Sequence, residues 1–350
     1  MNQLESFPSQ AERLTMNGKP VIYRENAKTV LSMNADAFQE KLLCDGITLN
    51  MGDACAYSCS YCYVGPQMRK LLHGLLDGKA HENVVVRRRN ARDILRQQLV
   101  NKNGQPKYQD PNDRRVVYSS TLVDVAANME LLRETAEACQ VIFALTNWQV
   151  RLLTKSNLLP KLVELIPAEH HPRLILGVST GTLDDRVAKA IEIGTPLVSQ
   201  RLKSLHELQD AGLRTFGMIC PSLPQADYNR FATEMAEAIR VEKCEEVWAE
   251  VINVRGPSFT HTHDALVAAG LNDEAEMLAG VTHNKVAWEA YARATFEAHA
   301  QFIPPEKLRF LQYVGKGTLT HWNQQRPRGA VLLGAYANTP QPSGETEAAQ

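Results

Sequence analysis

Between residues 46 and 252 six short apolar runs alternate with loops and stretches of helical spacing. The runs are 46–51 (GITLNM), 114–118 (RRVVY), 150–154 (VRLLT), 174–178 (LILGV), 215–219 (TFGMI) and 246–252 (EVWAEVI). Their lengths suit buried strands. Helical spacing follows at 128–138, at 158–165, around Val187 and at 202–208, where Gly212 supplies a C-terminal stop. Alternation of this kind implies parallel strands joined by right-handed crossovers. Thiols, lone serines and prolines stand where runs end, and chemistry at C-terminal strand ends is the habit of α/β barrels. The predicted fold is α/β, a partial (β/α)6 TIM-like barrel with N- and C-terminal extensions.

The flanks read differently. Residues 1–43 form a polar N-terminal extension lying on the domain, and 44–256 form the barrel. Residues 257–335 form a helical and irregular appendage with amphipathic helices at 265–269 and 288–300. Residues 336–350 (YANTPQPSGETEAAQ) have the composition of a disordered tail.

With 350 residues, 44% hydrophobic and 22% charged, the chain can bury a large core without disulfides. Seven cysteines is an odd number, and the opening MNQLESFPSQAERL is polar and acidic where a signal peptide would be basic and then apolar. No apolar run reaches the length of a membrane span. The expected location is therefore the reducing cytoplasm. A formal net charge of −1 gives no global pull towards nucleic acid. The basic runs Arg87-Arg88-Arg89 with Arg92, and Arg114-Arg115, read as solvated faces.

Cys55, Cys59 and Cys62 lie on one loop, CAYSCSYCYVGP, in the spacing C-x3-C-x2-C after the first run. Three thiolates leave one corner of a four-ligand site open. A structural zinc site usually takes two C-x2-C pairs, and no second pair exists; it would need to borrow a distant ligand such as Cys44 or His73. Cys44, Cys139, Cys220 and Cys244 stand singly. Three cysteines on one short loop suit a [4Fe-4S] cluster whose fourth iron binds a small molecule. His261 and His263, two residues apart, read as surface or helix-entry residues, and His170-His171 as a turn.

The loop closely resembles that of the radical S-adenosylmethionine (SAM) superfamily. From Met51 to Arg255 the chain resembles the spore photoproduct lyase-like branch, often labelled DNA repair photolyase. The similarity is carried in order by VVVRRRNARDILRQQL, by RLLTKSNLL, by VSTGTLDDRVAKAIEIGTPLVSQRLKSLHELQDAGLRTFGMICPSLP, and by AEVINVRG. The resemblance implies a [4Fe-4S] cluster on Cys55, Cys59 and Cys62, and SAM as the source of a 5′-deoxyadenosyl radical. It also implies an electron donor such as flavodoxin or ferredoxin and a nucleic-acid substrate. Modification of a peptide or small molecule is the rival enzyme reading, and a non-catalytic iron–sulfur protein is the rival from another class.

The same resemblance implies residue roles. Tyr61 packs against the SAM adenine through its ring or offers it its backbone, and Lys155 places an ammonium near the SAM carboxylate. Ser179 offers a hydroxyl to SAM or caps the turn that follows it. Arg201 pairs with the SAM carboxylate or with Glu192. Glu250, Asn253 and Arg255 line the substrate side. One departure stands out: Thr121 occupies the position where this branch places a radical-quenching cysteine. An O–H bond is far stronger than an S–H bond, so Thr121 is a poor hydrogen-atom donor. Cys220, at the end of the fifth run, offers a thiol from another wall of the barrel, or is a buried inert cysteine.

Overall fold

The computed structural model describes residues 15–16, 18–25, 27–55, 57–65, 83–119, 121–252, 258–282 and 284–338. The strands in chain order are β1 (Thr15–Met16), β2 (Lys19–Arg24), β3 (Leu31–Ser32), β4 (Ile47–Leu49), β5 (Gly52–Ala54), β6 (Val85–Arg88) and β7 (Val116–Ser119). They continue with β8 (Gln149–Thr154), β9 (Leu174–Ser179), β10 (Thr215–Ser222), β11 (Cys244–Val251), β12 (Leu308–Tyr313) and β13 (Ala330–Leu333). The main sheet runs β13-β12-β11-β10-β9-β8-β7-β4-β3. Every pairing from β4 to β13 is parallel, and β3 closes one edge antiparallel. The ends do not pair with each other, so this is an open barrel.

Side-chain alternation decides which face does what. One face of the strands packs against the helices in the largest apolar cluster, through Val150, Leu152, Leu174, Leu176, Val247 and Ala249. The helix Met129–Leu145 covers it with Leu132, Ala136, Cys139 and Ile142. Its N-terminus is fixed by the Asn128 side chain, which accepts from the Glu130 and Leu131 amides at 3.0 Å. Residues of opposite parity point inward: Tyr118, Ile175, Phe216, Met218, Trp248, Leu311 and Leu333 form a second cluster. Gly177 is required here, because a Cβ would stand 2.3 Å from the Phe216 ring.

Three expectations are corrected. The segment 257–335 is helical at first, in Ser258–Ala268, Asn272–Thr282 and Lys285–Phe302, but then supplies β12 and β13. LRFLQY buries Leu308, Phe310 and Leu311 in register with β11, so it extends the sheet instead of forming an irregular appendage. The cysteine loop follows β5, not the first main-sheet strand: after β4 the chain turns into a second sheet of order β1-β2-β6-β5. Gly52 permits that crossing, since a Cβ would lie 2.4 Å from the Val86 carbonyl oxygen. Asp53, fully buried, is held there by Arg24 at 3.2 Å and Arg88 at 2.6 Å.

The third correction concerns the N-terminal extension, which does not simply lie on the domain. Residues 36–45 enter the barrel. The Lys41 carbonyl accepts from Trp248 Nε1 at 2.8 Å, and those of Leu42 and Leu43 accept from Arg151 at 3.1 and 3.0 Å. Phe38 packs on Tyr118, and Leu43 and Cys44 join the inward cluster. This plug fills the floor that strand side chains alone would leave hollow.

Candidate functional site

The inward residues nearest the C-terminal strand ends are Ser179 on β9, Cys220 on β10 and Glu250 on β11, one step above Gly177, Met218 and Trp248. The cysteine loop hangs over this mouth. It is stitched to the segment 191–194: Ser60 N–H donates to the Ile191 carbonyl at 2.8 Å, Gly194 N–H donates to that of Tyr57 at 2.9 Å, and Cys59 bridges Glu192. Cys55, Cys59 and Cys62 are half-buried free thiols. Burial first, then the charges of Cys62 and Asp124, pushes Cys55 up to about 11. Cys59 is pushed well up by burial and Glu192, with Cys55 and Cys62 adding to it. The three sulfurs thus act on one another as like charges across one space.

A bound cation reverses that repulsion, since metal ligation deprotonates a thiol outright. Among the described residues no group of three His, Cys, Asp or Glu side chains stands in the geometry of a single metal ion. Three soft thiolates on one loop are, by donor chemistry, a set that suits iron and sulfide rather than a hard cation.

Facing the loop is a charged web. Lys155 Nζ donates to Ser179 Oγ at 2.9 Å, stands 3.8 Å from Glu192 Oε1 and lies 5.6 Å from the Tyr61 ring centre. Burial opposes its charge, yet Glu192 and the thiols Cys59 and Cys220 hold its pKa above the ordinary lysine value. Glu192 accepts from the Tyr61 hydroxyl and pairs with Arg201 at 2.6 Å. Arg201 is 0% exposed, and its guanidinium also donates to the Pro196 and Ser179 carbonyls and to Thr195. Of the two roles open to Arg201, the structure shows the one with Glu192. Asp124 anchors the same corner: it accepts from Thr154 Oγ1 at 2.5 Å and from the Lys155 amide at 2.8 Å. Gly181 brings the turn after β9 against β10, for a Cβ there would meet the Pro221 carbonyl oxygen at 1.8 Å.

Thr121 sits beside the loop, its hydroxyl donating to Asn50 Oδ1 at 2.8 Å and its carbonyl accepting from Tyr63 at 2.5 Å. Cys220 Sγ lies 3.9 Å from Glu250 Oε2, and burial followed by that carboxylate pushes its thiol up to about 12. Glu250 pairs with Lys41 of the plug at 3.3 Å. Asn253 and Arg255 lie outside the described residues. Among the described residues His263 hydrogen-bonds its neighbour Asp264 and His171 the Ile166 carbonyl, away from the site. Cys44, Cys139 and Cys244 are buried away from the loop. Sequence reasoning missed Lys41 and Tyr63. Tyr63 could have been noticed as the aromatic directly after the last cysteine; nothing in the sequence marks Lys41.

The site is thus an open parallel barrel with a three-cysteine loop over its C-terminal mouth. No family model matches. The uncharacterized protein ORF301 of Acidianus two-tailed virus is 24% identical over 235 residues, covering 65% of this chain and 73% of that protein. The uncharacterized protein Mb2609c of Mycobacterium bovis is 27% identical over 182 residues, about half of each chain (51% and 50%). Among solved structures, a cysteine-to-alanine variant of spore photoproduct lyase superposes with a TM-score of 0.53 at 14% identity, covering 86% of both chains. Spore photoproduct lyase complexed with dinucleoside spore photoproduct gives 0.50 at 16% identity, covering 75% of this chain and 72% of that one. The fold is that of spore photoproduct lyase. Among the described residues no helix is long and apolar enough to cross a membrane.

Proposed function

We propose that the chain is a radical SAM enzyme acting on a nucleic-acid-type substrate. The observation that carries this reading is the trio of half-buried thiols over the barrel mouth, opposite the web of Lys155, Ser179 and Glu192. Cys55, Cys59 and Cys62 would hold a [4Fe-4S] cluster, which together with bound SAM would supply radical chemistry at the barrel mouth.

The chain's own residues orient and shield. Lys155 offers its ammonium to the SAM carboxylate. Arg201 makes this possible at one remove, because it neutralises Glu192, which would otherwise repel that carboxylate. Ser179 gives its hydroxyl to the SAM ribose or carboxylate, and the Tyr61 ring, pinned through its hydroxyl, packs against the adenine. Glu250 lines the substrate side. Cys220 is the hydrogen donor in place of Thr121, whose hydroxyl hydrogen is already engaged with Asn50. Its S–H hydrogen atom passes to a substrate carbon radical, and one electron and one proton restore the thiol. A low-potential carrier such as flavodoxin or ferredoxin provides electrons, and the cytoplasm suits an oxygen-labile centre. The dinucleoside held by the lyase of the same fold supports a nucleic-acid substrate.

The test is anaerobic reconstitution with iron and sulfide, then addition of reductant and SAM. Formation of 5′-deoxyadenosine is the expected result. A loaded cluster that forms none points to an electron-carrying or structural iron–sulfur protein. Salt-dependent binding to DNA then separates a nucleic-acid substrate from a peptide or small molecule.

A further inference from the structure

The geometry points to Lys41 and Glu250 as a paired recognition group that holds the hydrogen-bonding edge of an unpaired nucleobase, a base donor on the Glu250 carboxylate and the adjacent base acceptor on the Lys41 ammonium. The choice of a base rests on the proposed function; the pair itself does not.

Three observations carry it. The first is place. Glu250 is the last inward side chain of β11, and the plug brings Lys41 Nζ to 3.3 and 3.4 Å from its two oxygens. Cys220 Sγ is 3.9 Å away, and the Cys220 carbonyl accepts from Ser179, the partner of Lys155, whose ammonium lies 5.6 Å from the Tyr61 ring of the cysteine loop. The pair therefore looks across the mouth towards the three-thiol loop.

The second is unmet capacity. An ammonium has three donors and a carboxylate about four acceptor sites. Among the described residues, Lys41 Nζ hydrogen-bonds only to Glu250, and the Glu250 oxygens accept only from Lys41 and weakly from the Cys220 thiol. Glu192, by contrast, has Arg201, Tyr61 and Lys155. Burying an ion pair with spare donors and acceptors is costly unless something else satisfies them. Both side chains keep access to the mouth, at 18% and 11% exposure.

The third is the shape of the missing partner. Two probes of opposite kind, 3.3 Å apart, match a donor and an acceptor side by side on one molecule. A trans peptide bond points its N–H and C=O in opposite directions and cannot serve both. A phosphate would be drawn by Lys41 and repelled by Glu250. The Watson–Crick edge of a base carries adjacent donor and acceptor, and that edge is what enzymes read once a base leaves its stack.

The test uses the folded protein without cluster or SAM. Thymidine and the three other deoxynucleosides are titrated calorimetrically, followed by the analogue of whichever binds, methylated on its edge donor. At least one nucleoside binds; methylation, Glu250→Gln and Lys41→Gln each weaken it tenfold or more, with circular dichroism unchanged. If no nucleoside binds, or if the methylated analogue binds as well as its parent, the assignment is wrong. Should Glu250→Gln fail to fold, Lys41→Gln alone decides it. Because 5′-deoxyadenosine formation is measured separately on loaded wild-type protein, failure of the pair and failure of the proposed function give different results.

Discussion

At the scale of single residues, the site turns on how its buried charges cancel. Glu192 and Arg201 are both enclosed, and Glu192, with the thiols Cys59 and Cys220, keeps Lys155 charged against its burial. Arg201→Ala strands a buried carboxylate, so it costs about 3–5 kcal/mol and lowers the melting temperature by several degrees in a thermal scan. Lys155→Met acts differently: the fold and the iron content stay, while SAM affinity drops at least about tenfold, or 1.4 kcal/mol, in equilibrium binding. The cysteine trio was legible because its spacing is local, and Arg201 was legible with Glu192 as one of its two partners. Lys41 was not, since its meaning arises from Glu250, Trp248 and Tyr313, more than two hundred residues away.

At the scale of elements, tight crossings place the loops. Gly181→Ala must move the turn after β9 away from Pro221, which separates Ser179 from Cys220. The expected result is a loss of about 2 kcal/mol or more by denaturant titration. The helix Lys285–Phe302 offers a pH test. His299 is fully buried beside Phe231, and burial pushes its pKa down to about 4. The unfolded chain protonates it near 6.5, so its contribution is complete above pH 6.5 and is lost as pH falls through 4, about 3 kcal/mol in all. His299→Leu flattens stability between pH 4 and 6.5. The six central strands could be read from their apolar runs, whereas β12 and β13 could not. LRFLQY and AVLL are strands because β11 offers them an edge, and a run of helices separates them from it in sequence.

At the scale of the molecule, the barrel is open at its edges and filled from below by its own N-terminal segment. Leu43 belongs to the inward cluster that spans the sheet, so Leu43→Ala leaves a cavity beneath the site and costs about 2–5 kcal/mol. That loss is read as a lowered denaturation midpoint. Sequence periodicity gives the strands and their order, but not what enters the space between them, because the plug is short, irregular and polar at its start.

The central claim is that three thiolates on one loop hold an iron–sulfur centre with one iron left open to SAM. Electron paramagnetic resonance of the anaerobically reconstituted, reduced protein tests it most directly. The account predicts a [4Fe-4S]+ signal that changes shape when SAM is added and is absent from Cys62→Ala. Zinc in place of iron, or a cluster signal indifferent to SAM, would contradict it.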